Sequence, residues 1–240
     1  MDRGLSVVEL LVKVFKNRTW YIPDFIHDAV LEKIVEGIDN VECYEIGSNL
    51  SWATKVIGDD PKVFYVIDYF GRECKVGMPS PPNTIVIRDS VWFPYPFSHV
   101  DGNQIWFNSL RRLFANAKGA SVISSYRLPI NEVPGVFYHP SLTWHEMDVR
   151  FANYYRCKRL FSKYEIIDFT PEFPTVFPMR IKNRDKILQL AGVEKHFLKP
   201  WMNKRDLPNP LYKELALLPI DSKLTEELLL SIACKIKEVS

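Results

Sequence analysis

Apolar positions in the first third of the chain switch between two periods. Leu5 to Phe15 has helical spacing, Thr19 to Ile22 is a short extended run, and Asp24 to Val35 is helical again. A helix buries a 3.6-residue stripe and a strand every second position, so this alternation predicts an α/β chain. Short runs rich in β-branched and aromatic residues follow at Val41 to Ile46, Val63 to Ile67, Thr84 to Ile87, Gln104 to Phe107 and Ala120 to Ser124, bounded by Gly, Pro, Asp or Asn. Runs apolar on both faces and interleaved with helices predict a mostly parallel sheet covered on both sides.

After Ser125 the pattern changes. Prolines at 129, 134 and 140 punctuate a segment rich in Tyr, His and Trp that reads as a loop. Trp144 to Lys163 then has helical spacing without Gly or Pro and ends in basic residues that suit the helix dipole. The last quarter reads as a strand at Val176 to Ile181, a helix from Asn183 to Leu190, and a final helix opened by Leu-Thr-Glu-Glu at 224–227, with Thr225 as N-cap. The expected organisation is a large α/β domain over residues 1–145 and, over 146–240, a linking helix with a small α+β domain.

Composition narrows the function classes. At 240 residues, 47% hydrophobic and 25% charged, the chain is long enough for one principal core and is not of disordered type. A net charge of +2, from 31 basic and 29 acidic residues, supplies no field that argues for nucleic acid or an anionic membrane as main partner. No apolar run approaches the roughly 20 residues of a membrane span and the first residues lack the order of a signal peptide, so a cytoplasmic location is expected. Cys43, Cys74, Cys157 and Cys234 form no CxxC pair and are expected as buried, reduced thiols. The histidines at 27, 99, 139, 145 and 196 lack HxxxH or HExxH spacing, so no metal site is expected; His139 and His145 flank Trp144 near the proline-rich loop. Walker, GxGxxG and GxSxG motifs are absent.

Six stretches carry a family resemblance. NSLRRLFANAKGASVIS (108–124) resembles the segment around the cofactor-binding lysine of the DegT/StrS sugar aminotransferases, which often read Ser-Phe-Arg-Lys-Thr-Leu, a short spacer and Gly-Gly. VIDYFGREC (66–74) and IVIRDSVW (85–92) resemble that family's His-Tyr-Phe-Gly and Ile-Glu-Asp-x-Ala-His/Gln strand ends. RGLSVVELL is similar to its opening phosphate-site helix, YIPDFIHDAV to its Pro-Ala-Tyr strand and loop, and LALLPIDSKLTEELLLSIACKI to its closing helix. The resemblance implies a fold-type I pyridoxal phosphate (PLP) transferase fold and a homodimer, although family members are usually longer.

The family chemistry requires a lysine to hold the aldehyde, a carboxylate beside the pyridine nitrogen, and donors around the phosphate. Asp89 matches the carboxylate and stands at the end of an apolar strand, where parallel sheets place ligands; an Asp there also serves as a turn cap. Ser109 matches a phosphate contact, and Ser6 lies near a helix start whose free amides favour an anion; Ser is also a common N-cap. Phe25 stands in a strand-to-helix loop where it would stack on a ring, or belong to the core.

Two residues depart from the family pattern. Arg112 occupies the lysine position. A guanidinium stays protonated and is a very poor nucleophile toward an aldehyde, but it holds phosphate or carboxylate in a bidentate fork. With Arg111 it also reads as a solvated surface pair. Lys118, six residues on, is the nearby lysine that would substitute. Trp92 replaces a His or Gln, donates one hydrogen bond and accepts none, and has the bulk to fill a cofactor pocket.

Three functions follow: a degenerate relative without transaminase activity that binds a phosphate compound, a nucleotide sugar or PLP non-covalently; a working PLP enzyme with a non-standard lysine; or a non-catalytic dimeric interaction subunit.

Overall fold

The computed structural model describes residues 4–51, 62–74, 84–93, 103–109, 119–129, 140–166, 169–199, 201–203 and 205–239, with side chains of the long helix from 145 onward. In chain order the elements are α1 (Gly4–Val14), β1 (Thr19–Pro23), α2 (Asp28–Gly37), β2 (Val41–Tyr44), β3 (Lys62–Ile67), β4 (Ile85–Asp89), β5 (Gln104–Phe107) and β6 (Val122–Ser124). Then come α3 (Pro140–Leu160), β7 (Val176–Arg180), α4 (Arg184–Leu190), the single turn α5 (Leu211–Glu214), β8 (Leu215–Pro219) and α6 (Glu226–Val239).

The six-stranded sheet has the order β2-β1-β3-β4-β5-β6. Pairing is parallel from β2 through β5, and only the edge strand β6 runs antiparallel, against β5. Every residue of β3 and β4 is buried, as the uninterrupted apolar runs require of central strands covered on both faces. α1 buries Val7, Val8, Leu11 and Val12, one stripe at i, i+1, i+4, i+5. The chain runs from β1 outward to β2 and returns past β1 to β3, so the strand order reverses at the β1/β3 boundary, where open α/β sheets hold ligands beyond the strand C-termini.

β7 and β8 form a second, antiparallel sheet. Leu215 and Leu217 of β8 join the main core, whereas Ala216 and Leu218 join a second cluster with Tyr154, Phe161, Phe177, Ile232 and Ile236. Strand side chains alternate in direction, so one five-residue strand forms a wall of both cores.

Several boundaries differ from the sequence reading. α2 opens at Asp28 because His27 accepts the Ala29 N–H, and Asp24 to Ile26 form the loop before it. α3 is described from Pro140, ahead of the helix expected from Trp144, and it stops at Leu160. α5 and β8 fall between the helix expected to end at Leu190 and the final helix expected to open at 224–227, where the sequence pattern predicted no element. The cysteines are free, yet Cys43 and Cys234 are exposed rather than buried, since both point away from the core on β2 and α6. Among the described residues no helix is long and apolar enough to cross a membrane.

Candidate functional site

Three buried aspartates stand side by side where parallel strands end. Asp24 follows β1, Asp68 follows β3 and Asp89 closes β4; they are 7%, 3% and 4% exposed. An ionised carboxylate out of water needs donors, and each of the three finds a different set. Asp24 Oδ1 accepts from the Ile46 N–H at 2.9 Å and Asn209 Nδ2 at 2.8 Å, tying β2 to the tail. Burial pushes its pKa up, and those hydrogen bonds oppose the rise. Asp68 accepts from the Arg88 guanidinium at 2.7 Å, the Cys74 N–H at 2.8 Å and the Ser90 hydroxyl. Both serve the scaffold.

Asp89 is the one of the three that lines a cavity, of about 300 Å³. The Tyr65 hydroxyl donates to its Oδ2 at 2.5 Å, a length usual for a charge-assisted O–H···O⁻ bond, and the Val91 N–H donates to Oδ1 at 3.3 Å. The turn-capping role and the cavity-lining role thus belong to the same residue. Burial, and then the adjacent Asp89 charge, hold the Tyr65 pKa well above the phenol value, so Tyr65 stays a donor.

The first turn of α1 forms another wall through Gly4 and Leu5. A Cβ on Gly4 would stand 3.1 Å from Val91 Cγ1 and 3.4 Å from Ser109 Cβ, so the helix start is pressed against the ends of β4 and β5. Ser109, 5% exposed, also lines the cavity, and among the described residues its hydroxyl has no hydrogen-bond partner. Trp92 forms a side wall and packs against Phe70 with ring centroids 5.8 Å apart; the space remains open beside it. His27, Lys199, Trp201 and Leu217 also line the cavity.

The cavity therefore joins Asp89, Trp92 and Ser109. Ser6 is half-buried in α1 while its neighbours Gly4 and Leu5 reach the cavity, and Phe25 lies behind the wall, stacked on Trp201 with centroids 4.7 Å apart. Arg111, Arg112 and Lys118 lie outside the described residues, as do His99 and His139. His145 is exposed on α3 and takes no part. Sequence reasoning missed His27, Lys199 and Trp201. The 198–201 segment follows no motif, and its only signal was an aromatic and a cation in a proline-containing loop.

No protein-family model and no curated protein matches the sequence. Solved structures do resemble the chain in shape. A DegT DnrJ EryC1 StrS aminotransferase from Brucella abortus superposes with a TM-score of 0.69 at 12% identity, covering 99% of this chain and 84% of its own. Helicobacter pylori PseC, an aminotransferase involved in the biosynthesis of pseudoaminic acid, gives 0.68 at 13% identity, covering 99% and 85%. DesV of S. venezuelae, in complex with a ketimine intermediate, gives 0.70 at 12% identity, covering 99% and 83%. The chain has the PLP-aminotransferase fold. Within that fold, the side chains lining the cavity are of the kinds that would hold pyridoxal phosphate: the Ser109 hydroxyl beside the first described turn of α1 for an anion, the Asp89 carboxylate for a ring nitrogen, and aromatic walls.

Proposed function

We propose that the cavity binds a flat, phosphate-bearing ligand of the pyridoxal phosphate kind, and that this chain does not carry out transamination through the residue at position 112. The observation that carries the reading is the meeting of Asp89, Ser109 and the start of α1 in one cavity. The α1 amides and the Ser109 hydroxyl would hold the phosphate, since the first amides of a helix lack intrahelical acceptors. Asp89, kept in place by Tyr65, would hold a protonated ring nitrogen, and Trp92 would offer an apolar face. Pyridoxal phosphate, when bound, supplies an electron-withdrawing ring. Arg112 adds a second anion contact in this reading but no nucleophile, because a guanidinium remains charged. The reading also includes a homodimer, checked by the solution mass of the purified chain.

Titration with pyridoxal phosphate, pyridoxamine phosphate and inorganic phosphate tests the proposal. Ser109→Ala and Arg112→Ala should each weaken all three ligands several-fold. Asp89→Asn should weaken the two pyridines about 10–100-fold, the worth of a hydrogen bond to a charged group, and leave phosphate unaffected. Unchanged binding in all variants would discard this cavity, and absence of any binding would favour the interaction-subunit reading. Arg112→Lys should create amino-donor turnover if the departure at 112 is what silences transamination.

A further inference from the structure

A lysine that the family resemblance does not supply stands at the wall of the cavity. Lys199 is the lysine that lines it among the described residues, and it belongs to the tail, far in sequence from the 108–124 stretch. Two anchors fix its backbone. The Leu198 N–H donates to the Leu217 carbonyl of β8 at 2.9 Å, and Trp201 stacks on the buried Phe25 at 4.7 Å with the rings 19° from parallel. Trp201 also meets the His27 ring edge-on at 5.6 Å. Both anchoring residues themselves line the cavity, so the segment is seated on its rim while the Lys199 side chain keeps an exposed position beside it.

We propose that Lys199 is the amine that captures an aldehyde ligand held in this cavity. The inference rests on the reading above, that a phosphate-bearing ring compound binds here, and extends it by naming a covalent partner. In the step, the lone pair of the neutral Lys199 Nζ forms a bond to the carbonyl carbon, and a proton passes from nitrogen to the carbonyl oxygen. The second nitrogen-bound proton then joins that oxygen, which leaves as water as the C=N bond forms. Nothing is oxidised or reduced, and no co-reactant is needed. Selectivity comes from proximity: a bound ligand presents its carbonyl to Lys199 within one complex, whereas lysines away from the cavity meet it only from bulk solution. The substrate class is therefore a flat aldehyde with an anionic group for the α1 end and a basic nitrogen for Asp89.

The test uses the full chain incubated with pyridoxal phosphate, reduced with borohydride and mapped by peptide mass spectrometry. Pyridoxamine phosphate, which has no aldehyde, serves as competitor, and its own binding is followed by quenching of tryptophan fluorescence. The expected result is a pyridoxyl group on Lys199 in preference to other lysines, lost at least tenfold in Lys199→Arg and suppressed by excess pyridoxamine phosphate. The thermal midpoint of Lys199→Arg should equal that of the parent chain, the position being exposed. An adduct on Lys118, labelling scattered over the surface, or Lys199 labelling that the competitor does not suppress overturns the inference. Pyridoxamine phosphate binding without Lys199 labelling removes the inference and leaves the binding reading intact; no binding and no labelling removes both.

Discussion

Gly71 illustrates how one residue decides the geometry near the site. It ends the Asp-Tyr-Phe-Gly run after β3 with φ +87°, a conformation open to glycine and costly for side chains with a Cβ. A Cβ there would stand 1.6 Å from the Phe173 carbonyl oxygen, and the Phe173 N–H donates to the Gly71 carbonyl at 2.8 Å. Gly71→Ala should therefore destabilise the chain by at least about 1–3 kcal/mol from the backbone conformation alone, with the collision added. The denaturant midpoint reads this directly, and an unchanged midpoint would contradict it. Asp89 was legible in the sequence because it ends a short apolar strand, whereas Ser109, two residues beyond β5, was picked out by the family resemblance. Lys199 and His27 were not legible: their place at the cavity comes from packing between segments more than 150 residues apart.

At the scale of elements, the periodic helices and the β-branched runs of the central sheet were readable, and the leucine-rich β8 was not. α1 and α6 show one apolar face each; α1, expected from Leu5 to Phe15, spans Gly4–Val14, and α6 opens at Glu226 within the 224–227 stretch expected to start it. Thr225 caps α6 as its position suggests, with its hydroxyl accepting the Leu228 N–H at 3.2 Å. Thr225→Ala should cost about 1 kcal/mol, measured by thermal or denaturant unfolding. β8 was not marked as a strand because Leu-Ala-Leu-Leu-Pro has no polar position to betray a period of two. Its strand character is decided by β7, with which it pairs from Val176–Pro219 to Arg180–Leu215. Most of the loop expected around Pro129, Pro134 and Pro140 lies outside the described residues, and Pro140 already stands in α3.

For the molecule as a whole, the number of protonated groups sealed in the core sets its response to alkali. Burial pushes the Cys157 thiol from 9.0 and the Tyr212 phenol from 10.0 each to about 12, and holds Tyr44, Tyr65 and Tyr69 well above 10.0. The unfolded chain releases these protons near 9 and 10 while the folded chain keeps them. Above that range the folded state binds more protons, so the stability that is fully present below about pH 9 falls as pH rises. Each such group contributes about 1.4 kcal/mol per pH unit between its unfolded and folded values. Denaturant midpoints at pH 8 and pH 10.5 should differ sharply, with the lower stability at pH 10.5; equal midpoints would mean these groups are not sealed.

The sequence by itself determined the α/β alternation, the mostly parallel sheet and the placing of Asp89 at a strand end, because apolar period and strand-end chemistry are local properties that neighbours in the chain can encode. It also fixed the identity of Arg112 where the resembling family has a lysine. The tertiary structure alone decided that Lys199, Trp201 and His27 share with Asp89 the lining of a cavity of about 300 Å³, that Phe25 stacks on Trp201, and that β8 serves two cores. Those outcomes depend on how separate elements pack against one another, and the same apolar residues would satisfy several such packings until all of the elements are in place.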